Sequence, residues 1–286
     1  MTTHHSGPPP PLRPPGGLLD ELSEVALEAA RAAAAILRDG YGGRRDYVET
    51  KSSATDMVSE VDRAAEAQVT SVLAARRPGD AVLGEEGASR PGTTGVRWVV
   101  DPLDGTTNYL FGIPAWSVSV AAEWSGRSVV GVVIDPCRDE EWWAAAGRGA
   151  TCNGEACAVA AGRSCLATAL VGTGFSYQRA RRAWAGRMLA RVLPEVRDIR
   201  RFGSAALDLS WVAGGRLDGY FEWGLGPWDL AAGQVICEEA GAVVTVHAGG
   251  MVVAAPPVLH GPLRSLVEAA GGFDEPVDDV SDSRCS

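Results

Sequence analysis

The sequence predicts an α/β fold with two lobes. Two helical patterns open the chain, a run of strands follows between about residues 80 and 146, and strands alternate with helices from residue 167 to residue 270. At 286 residues the chain is long enough for one large domain or two lobes. A boundary near residue 150 divides it into a tail at 1–17, lobes at 18–150 and 151–272, and a second tail at 273–286.

Residues 1–17, MTTHHSGPPPPLRPPGG, cannot bury apolar surface and read as a proline-rich, disordered tail. Leu18, Leu22, Val25, Ala29, Ala33 and Ile36 recur at three- and four-residue spacing, which predicts a helix from Leu18 to Arg38 closed by Gly40. A short extended piece, Asp46–Lys51, leads to a second helix from Ser59 to Arg77. Ser59 serves as its N-cap, Asp62 as the acid at its third position, and Pro78-Gly79 as its stop. Asp80–Glu86 and Val96–Val100 read as strands, the latter halted by Pro102 and Gly105. Trp116–Trp124 and Ser128–Ile134 pair across a Ser125-Gly126 turn; Glu141–Ala146 is another strand and Gly147–Gly154 a turn-rich connection. In the second half Ala167–Thr173, Val196–Arg201, Gly219–Trp223, Ala242–Val246 and Met251–Ala255 read as strands. Arg179–Leu193, Gly203–Val212, Pro227–Ala240 and Leu259–Ala270 read as helices. Pro227 suits a first helical turn, which puts Asp229 where the helix dipole favours an anion.

The net charge is −10, of which the last fourteen residues supply −4 and Arg13 in the first tail +1, leaving the body at −7. An acidic body argues against a nucleic-acid or anionic-membrane surface, both of which need a basic face, and suits a protein that gathers cations. No apolar run reaches the ~18 residues of a membrane span, and the N-terminus lacks the charged-then-apolar order of a signal peptide. Six cysteines without a CxxC pair and only four histidines argue against a zinc site or a disulfide framework. Reduced thiols in a cytoplasmic protein are the expectation.

No GxxxxGK[ST] loop, GxGxxG turn or GxSxG elbow is present, and His247 and His260 lie late in the chain, so nucleophilic catalysis lacks a base. Carboxylates gather instead at element ends: Asp62, Glu85, Asp101, Asp104 and Asp229. The densest stretch is Trp98-Val-Val-Asp101-Pro-Leu-Asp104-Gly-Thr106-Thr-Asn108. Two carboxylates three residues apart repel unless a cation sits between them. Each acid also has a plainer explanation: Asp-Pro and Asp-Gly are turn dipeptides, Asp62 and Asp229 fit helix caps, and Glu85-Glu86 fits a solvated turn. As a set, oxygen donors suit magnesium, and two such ions about 4 Å apart can activate water and stabilise a leaving oxygen. The residues therefore point to a metal-assisted phosphate-ester hydrolase.

Four blocks carry a resemblance to the inositol monophosphatase family, within the lithium-sensitive, magnesium-dependent phosphatases. They are Lys51-Ser-Ser with Asp56 and Asp62, Gly84-Glu85-Glu86, Asp101-Pro-Leu-Asp104-Gly-Thr106-Thr-Asn108, and Trp228-Asp229-Leu-Ala-Ala-Gly. They follow the family's order, and the similarity spans roughly residues 18 to 270. The resemblance implies a layered αβαβα sandwich, a site between the lobes, a homodimer, and hydrolysis of a small phosphate monoester such as inositol 1-phosphate with two or three magnesium ions. It implies that Glu85, Asp101 and the Leu103 carbonyl hold one ion, that Asp101, Asp104 and Asp229 hold a second, and that Glu85 and Asp62 share a third. Thr106, hydrogen-bonded to Asp62, would orient and help deprotonate the attacking water, while the Gly105 and Thr106 amides bind phosphate. The substrate's polyol end falls to Glu222 and to Gly203, Ser204 and Ala205. Leu103 replaces the commoner isoleucine without consequence, since only its carbonyl is used. Gly87 in place of a serine, and Gly226 in place of the histidine of animal enzymes, open the substrate end. Histidinol phosphate is the alternative substrate, and a non-catalytic regulatory protein is the alternative from another class.

Overall fold

The structure, a computed structural model, describes residues 14–42, 48–50 and 57–274. Both outer tails and the Lys51–Asp56 part of the first block lie largely outside these residues. In chain order the elements are α1 (Gly16–Gly40), β1 (Val48–Thr50), β2 (Met57–Ser59), α2 (Glu60–Arg76), β3 (Ala81–Gly84), β4 (Ser89–Arg90) and β5 (Val96–Asp104). There follow α3 (Thr106–Leu110), β6 (Ser117–Trp124), β7 (Arg127–Asp135), β8 (Glu140–Ala145), β9 (Ala150–Cys152) and β10 (Glu155–Cys157). The second half comprises β11 (Leu170–Thr173), α4 (Arg179–Val192), β12 (Asp198–Arg200), α5 (Ala205–Ala213) and β13 (Gly219–Trp223). It closes with α6 (Pro227–Glu239), β14 (Val243–Val246), β15 (Met251–Ala255) and α7 (Pro257–Ala269).

Two sheets organise these elements. An eight-stranded sheet runs β10-β9-β8-β7-β6-β5-β3-β4, antiparallel except for the β3/β5 pair. A five-stranded sheet runs β12-β11-β13-β15-β14, with β11 parallel to both its neighbours. Parallel neighbours need a crossover, and α4 and α5 supply it, as the strand–helix alternation predicts.

Three cores separate five layers. Leu22 and Ala29 of α1 and Leu73 of α2 pack on Trp98 and Val100 of one sheet face. On the opposite face Val99, Ala121 and Val133 meet Leu209 of α5 and Ile236 of α6, which in turn touch Tyr220 and Ala254 of the second sheet. Beyond that sheet Phe221 and Val253 pack against Met188 of α4 and Leu259 of α7. The order is α/β/α/β/α. Strand period two explains why Trp98 and Val99 part company, and why Tyr220 and Phe221 do. All nine residues of α5 are buried, as a helix pressed between two sheets requires.

Several details differ from the sequence expectation. The buried stripe of α1 uses Leu19 and Leu37, leaving Leu18 and Ile36 at its margins, because a 3.6-residue period drifts from a fixed three-four count. The strand at Val96 does not halt at Pro102 but continues to Asp104 through an irregularity that spares proline a ladder hydrogen bond. Within Gly147–Gly154, Ala150–Cys152 forms β9 and pairs with both β8 and β10, so the first sheet extends to Cys157. Residues Leu166–Thr168 form a 3₁₀ turn, and β11 starts only at Leu170. The Ser125-Gly126 hairpin has positive φ at both residues, 53° and 80°, matching the twist of the flanking strands. Among the described residues no helix is long and apolar enough to cross a membrane, and five cysteines are free thiols.

A close backbone-to-backbone approach between layers occurs at Gly131 of β7, where an added Cβ would stand 2.4 Å from the Ala232 carbonyl of α6. Gly131→Ala should therefore destabilise the fold by about 1–3 kcal/mol through overpacking, read as a lower denaturation midpoint. An unchanged midpoint would mean that α6 can shift freely.

Candidate active site

The site begins with the irregularity in β5. Asp101 pairs with Ser119 and Asp104 with Ser117, a step of three residues on β5 against two on β6. In a regular strand Asp101 and Asp104 would face opposite sides; the extra residue turns both toward the central helix layer. Leu103 meanwhile packs into the outer core beneath α1 and α2. Serines opposite the aspartates tie in the second half of the chain. Ser119 Oγ donates to the Trp228 carbonyl (3.1 Å), and Ser117 Oγ lies 3.1 Å from Ser204 Oγ.

Asp229 arrives from α6. Its Oδ2 accepts from the Gly226 amide at 2.6 Å, so the capping role is real. A carboxylate has about four acceptor sites, however, and the cap uses one. Ligand oxygens of Asp101, Asp104 and Asp229 all lie within 4.8 Å of one another. Asp101 is 1% exposed and Asp104 is 8% exposed. Burial, then Glu85, Asp104 and Asp229, push the Asp101 carboxyl well above its usual range. Burial raises Asp104 to about 7 against hydrogen bonds from Ser204 Oγ and the Ala206 amide, both 2.7 Å. Burial, then Asp104 and Glu85, raise Asp229. Hard oxygen donors that raise one another's proton affinity fit a divalent cation, which would relieve the repulsion they share.

Glu85 follows β3, parallel to β5, and its amide donates to the Val100 carbonyl at 3.1 Å. Asp62 is fully buried in the first turn of α2 and raises the proton affinity of Tyr109 on α3, though burial raises it more. Gly105 caps α3 with φ +99°, and a Cβ there would stand 3.1–3.2 Å from the backbone of Ala115, Gly203 and Trp116. Only glycine suits that position. The resemblance implies a Thr106–Asp62 hydrogen bond, but Thr106 Oγ1 donates to the Leu103 carbonyl at 3.1 Å instead, leaving that oxygen a second lone pair.

One cleft of about 270 Å³ gathers Glu85, Asp101, Leu103, Asp104, Gly105, Thr106, Gly203, Ala205, Glu222 and Asp229. Ser204 is not on its wall. Its hydroxyl, fully buried, donates to Asp104 and accepts from the Leu207 amide as the cap of α5, so it supports a carboxylate rather than meeting substrate. That cap also explains why α5 starts at Ala205 and not at Gly203.

Four further residues, none assigned a role from the sequence, support the carboxylates and the cleft. Glu66 on α2 accepts from the Glu86 and Ala88 amides (2.9 and 3.1 Å), fixing the turn that carries Glu85. Asn108 donates to the Ala115 and Phe202 carbonyls (2.6 and 2.5 Å), holding Gly203 beside α3. Arg201 lines the outer cleft, and Asp208 lies buried on α5. Asn108 was visible within the third block; nothing in local sequence marks the other three.

An αβαβα sandwich with this donor set defines a protein able to hold a metal ion among buried carboxylates. The chain belongs to the inositol monophosphatase family, whose model matches residues 18–275. It is 42% identical to the inositol-1-monophosphatase SuhB of Mycobacterium tuberculosis, over 90% of this chain and 97% of that relative. It is 39% identical to the Nus factor SuhB of Pasteurella multocida, over 87% and 96% of the two chains. The solved inositol monophosphatase of Anabaena (Nostoc) sp. PCC 7120 superimposes with a TM-score of 0.78 at 35% identity, covering 88% of this chain and 97% of that one.

Two outcomes follow from the carboxylate cluster. Folding raises the pKa of Asp101, Asp104 and Asp229, so the stability they contribute is complete below 3.8 and is lost as pH rises through their folded values, which for Asp104 is about 7. Thermal midpoints of metal-stripped protein should fall from about pH 5 to about pH 8, and added magnesium at the higher pH should restore them. A midpoint indifferent to magnesium would count against the centre. Asp104→Asn keeps an oxygen for Ser204 and Ala206 but loses the charge. It should fold normally and lower kcat roughly a hundredfold or more in a phosphate-release assay.

Proposed function

We propose that the protein is a magnesium-dependent phosphomonoesterase that hydrolyses inositol 1-phosphate, or a similar small polyol phosphate, to the free alcohol and phosphate. The observation that carries this reading is a single cleft lined by the converging carboxylates, by Gly105 and Thr106 at the start of α3, and by Glu222. Glu85, Asp101 and the Leu103 carbonyl would hold one ion, Asp101, Asp104 and Asp229 a second, and Glu85 with Asp62 a third. When bound, such ions supply charge that polarises the ester and makes water more acidic.

The remaining work falls to the chain itself. Amides of Gly105 and Thr106 hold phosphate oxygens in place. With its proton directed at the Leu103 carbonyl, the Thr106 hydroxyl offers its lone pairs to the attacking water and so orients it. Asp62 is the buried acid we assign to the water's proton: the Thr106 hydroxyl would turn from Leu103 toward Asp62, giving up its own proton as it takes the water's. Glu222 accepts hydrogen bonds from the alcohol's hydroxyls, and Trp223, Trp228 and Tyr177 narrow the cleft around it. The converging carboxylates support a catalyst over the alternative of a non-catalytic regulatory protein.

The test is phosphate release from inositol 1-phosphate, histidinol phosphate, glycerol 2-phosphate and p-nitrophenyl phosphate, with and without magnesium. Magnesium-dependent release, fastest for inositol 1-phosphate, is expected. No release from any ester with magnesium present rejects the phosphatase reading. Faster release from histidinol phosphate changes only the alcohol.

A further inference from the structure

β13 carries two polar side chains on one face. Tyr220 and Glu222 are two residues apart, so both point toward the central helix layer, while Phe221 between them enters the outer core. Tyr220 is fully buried, and its hydroxyl donates to Glu222 Oε2. The carboxylate is also walled in by backbone. A Cβ added to Gly174 would stand 1.9–2.2 Å from its atoms, a contact that only the missing side chain permits. Asp208 of α5 is a buried acidic neighbour whose proton affinity burial and Glu222 raise; it is 1% exposed and its Oδ1 has no hydrogen-bond partner. Burial makes a charged Glu222 costly, and the Tyr220 donor and the Arg201 guanidinium are what favour it.

A glutamate has three rotatable bonds, and Glu222 has a cation on one side and a buried acid on another. Without a fixed partner it would be free to turn toward Arg201, which lines the same cleft, and lose its aim at the alcohol. The Tyr220 hydroxyl removes that freedom, because it can bind only one orientation of the carboxylate from a rigid strand position. It occupies one oxygen and leaves the remaining lone pairs aimed at whatever enters the cleft.

We propose that Tyr220 is a positioning residue, whose hydroxyl fixes Glu222 as the acceptor that selects phosphate esters of polyols over esters without hydroxyl groups. The proposal rests on the polyol-phosphate reading above. Discrimination then depends on a side chain that never touches substrate. An ester lacking hydroxyls gains nothing from an aimed acceptor and is processed at the metal-lined end alone.

Tyr220→Phe keeps the ring in the core and removes only the oxygen. With magnesium-loaded enzyme it should raise KM for inositol 1-phosphate about tenfold, the usual weight of a hydrogen bond to a charged group. Its kcat/KM for p-nitrophenyl phosphate should match wild type, while its thermal midpoint should fall by only a few degrees, leaving the enzyme folded at assay temperature. In a Glu222→Gln background the same change should add nothing further to the KM for inositol 1-phosphate, since Tyr220 acts through Glu222. An unchanged KM in the single variant, an equal loss on both esters, or a full additional loss in the Glu222→Gln background would each overturn the proposal. Failure of the underlying reading shows earlier and separately: wild-type enzyme would cleave neither ester, or would not prefer inositol 1-phosphate, and the proposal would fall with it.

Discussion

Like charges held together out of water set the terms for this molecule. Asp101, Asp104 and Asp229 bring ligand oxygens within 4.8 Å of one another at a largely buried place, with Glu85 close enough to raise the proton affinity of all three. Such a cluster is costly without protons or cations. The architecture around it resists the repulsion. β5 delivers two of the acids from the middle of an eight-stranded sheet, and α6 delivers the third from a helix clamped between two sheets. A site on mobile loops would relax by moving the acids apart. This one keeps them together, and a divalent ion can collect the electrostatic strain as binding energy.

Small polar side chains align the parts. The irregular step in β5 turns Asp101 and Asp104 to the same side, and Ser119 and Ser117, their partners on β6, reach the segments carrying Asp229 and Ser204. Ser204 and the Ala206 amide then hold one oxygen of Asp104. Asn108 ties the Gly203 segment to the short helix after Gly105. The two halves of the chain thus meet through hydrogen bonds at the cleft as well as through the apolar core. The polar groups fix register where packing alone would tolerate slippage.

How legible each feature was follows from how local its cause is. The α1 helix, the β6/β7 hairpin and the β13 and β15 strands were readable, because periodicity and turn residues are properties of neighbouring residues. Pro102 misled, since a proline normally ends a strand and the exception is an irregularity that only pairing with β6 creates. The family resemblance implies a substrate role for Ser204, but as the helix cap it turns its hydroxyl inward. Asp229 carried two readings, cap and ligand, and one carboxylate serves both. Asp208 and Tyr220 went unseen because each looks like a unit of an ordinary helix or strand until the other sheet layer is placed against it.

By itself the sequence determined which elements form, that hard oxygen donors gather at their ends, and that the third block is a site motif of the family to which the chain belongs. These follow from side-chain chemistry and short-range spacing. Tertiary structure alone decided which of the acids converge, that Asp101 and Asp104 share a side, and that Glu222 lies in their cleft beside Arg201 with Tyr220 behind it. Asp104 and Asp229 are separated by more than a hundred residues, and their proximity depends on layer order and strand register. Register is fixed by partners elsewhere in the chain, so no local stretch contains it.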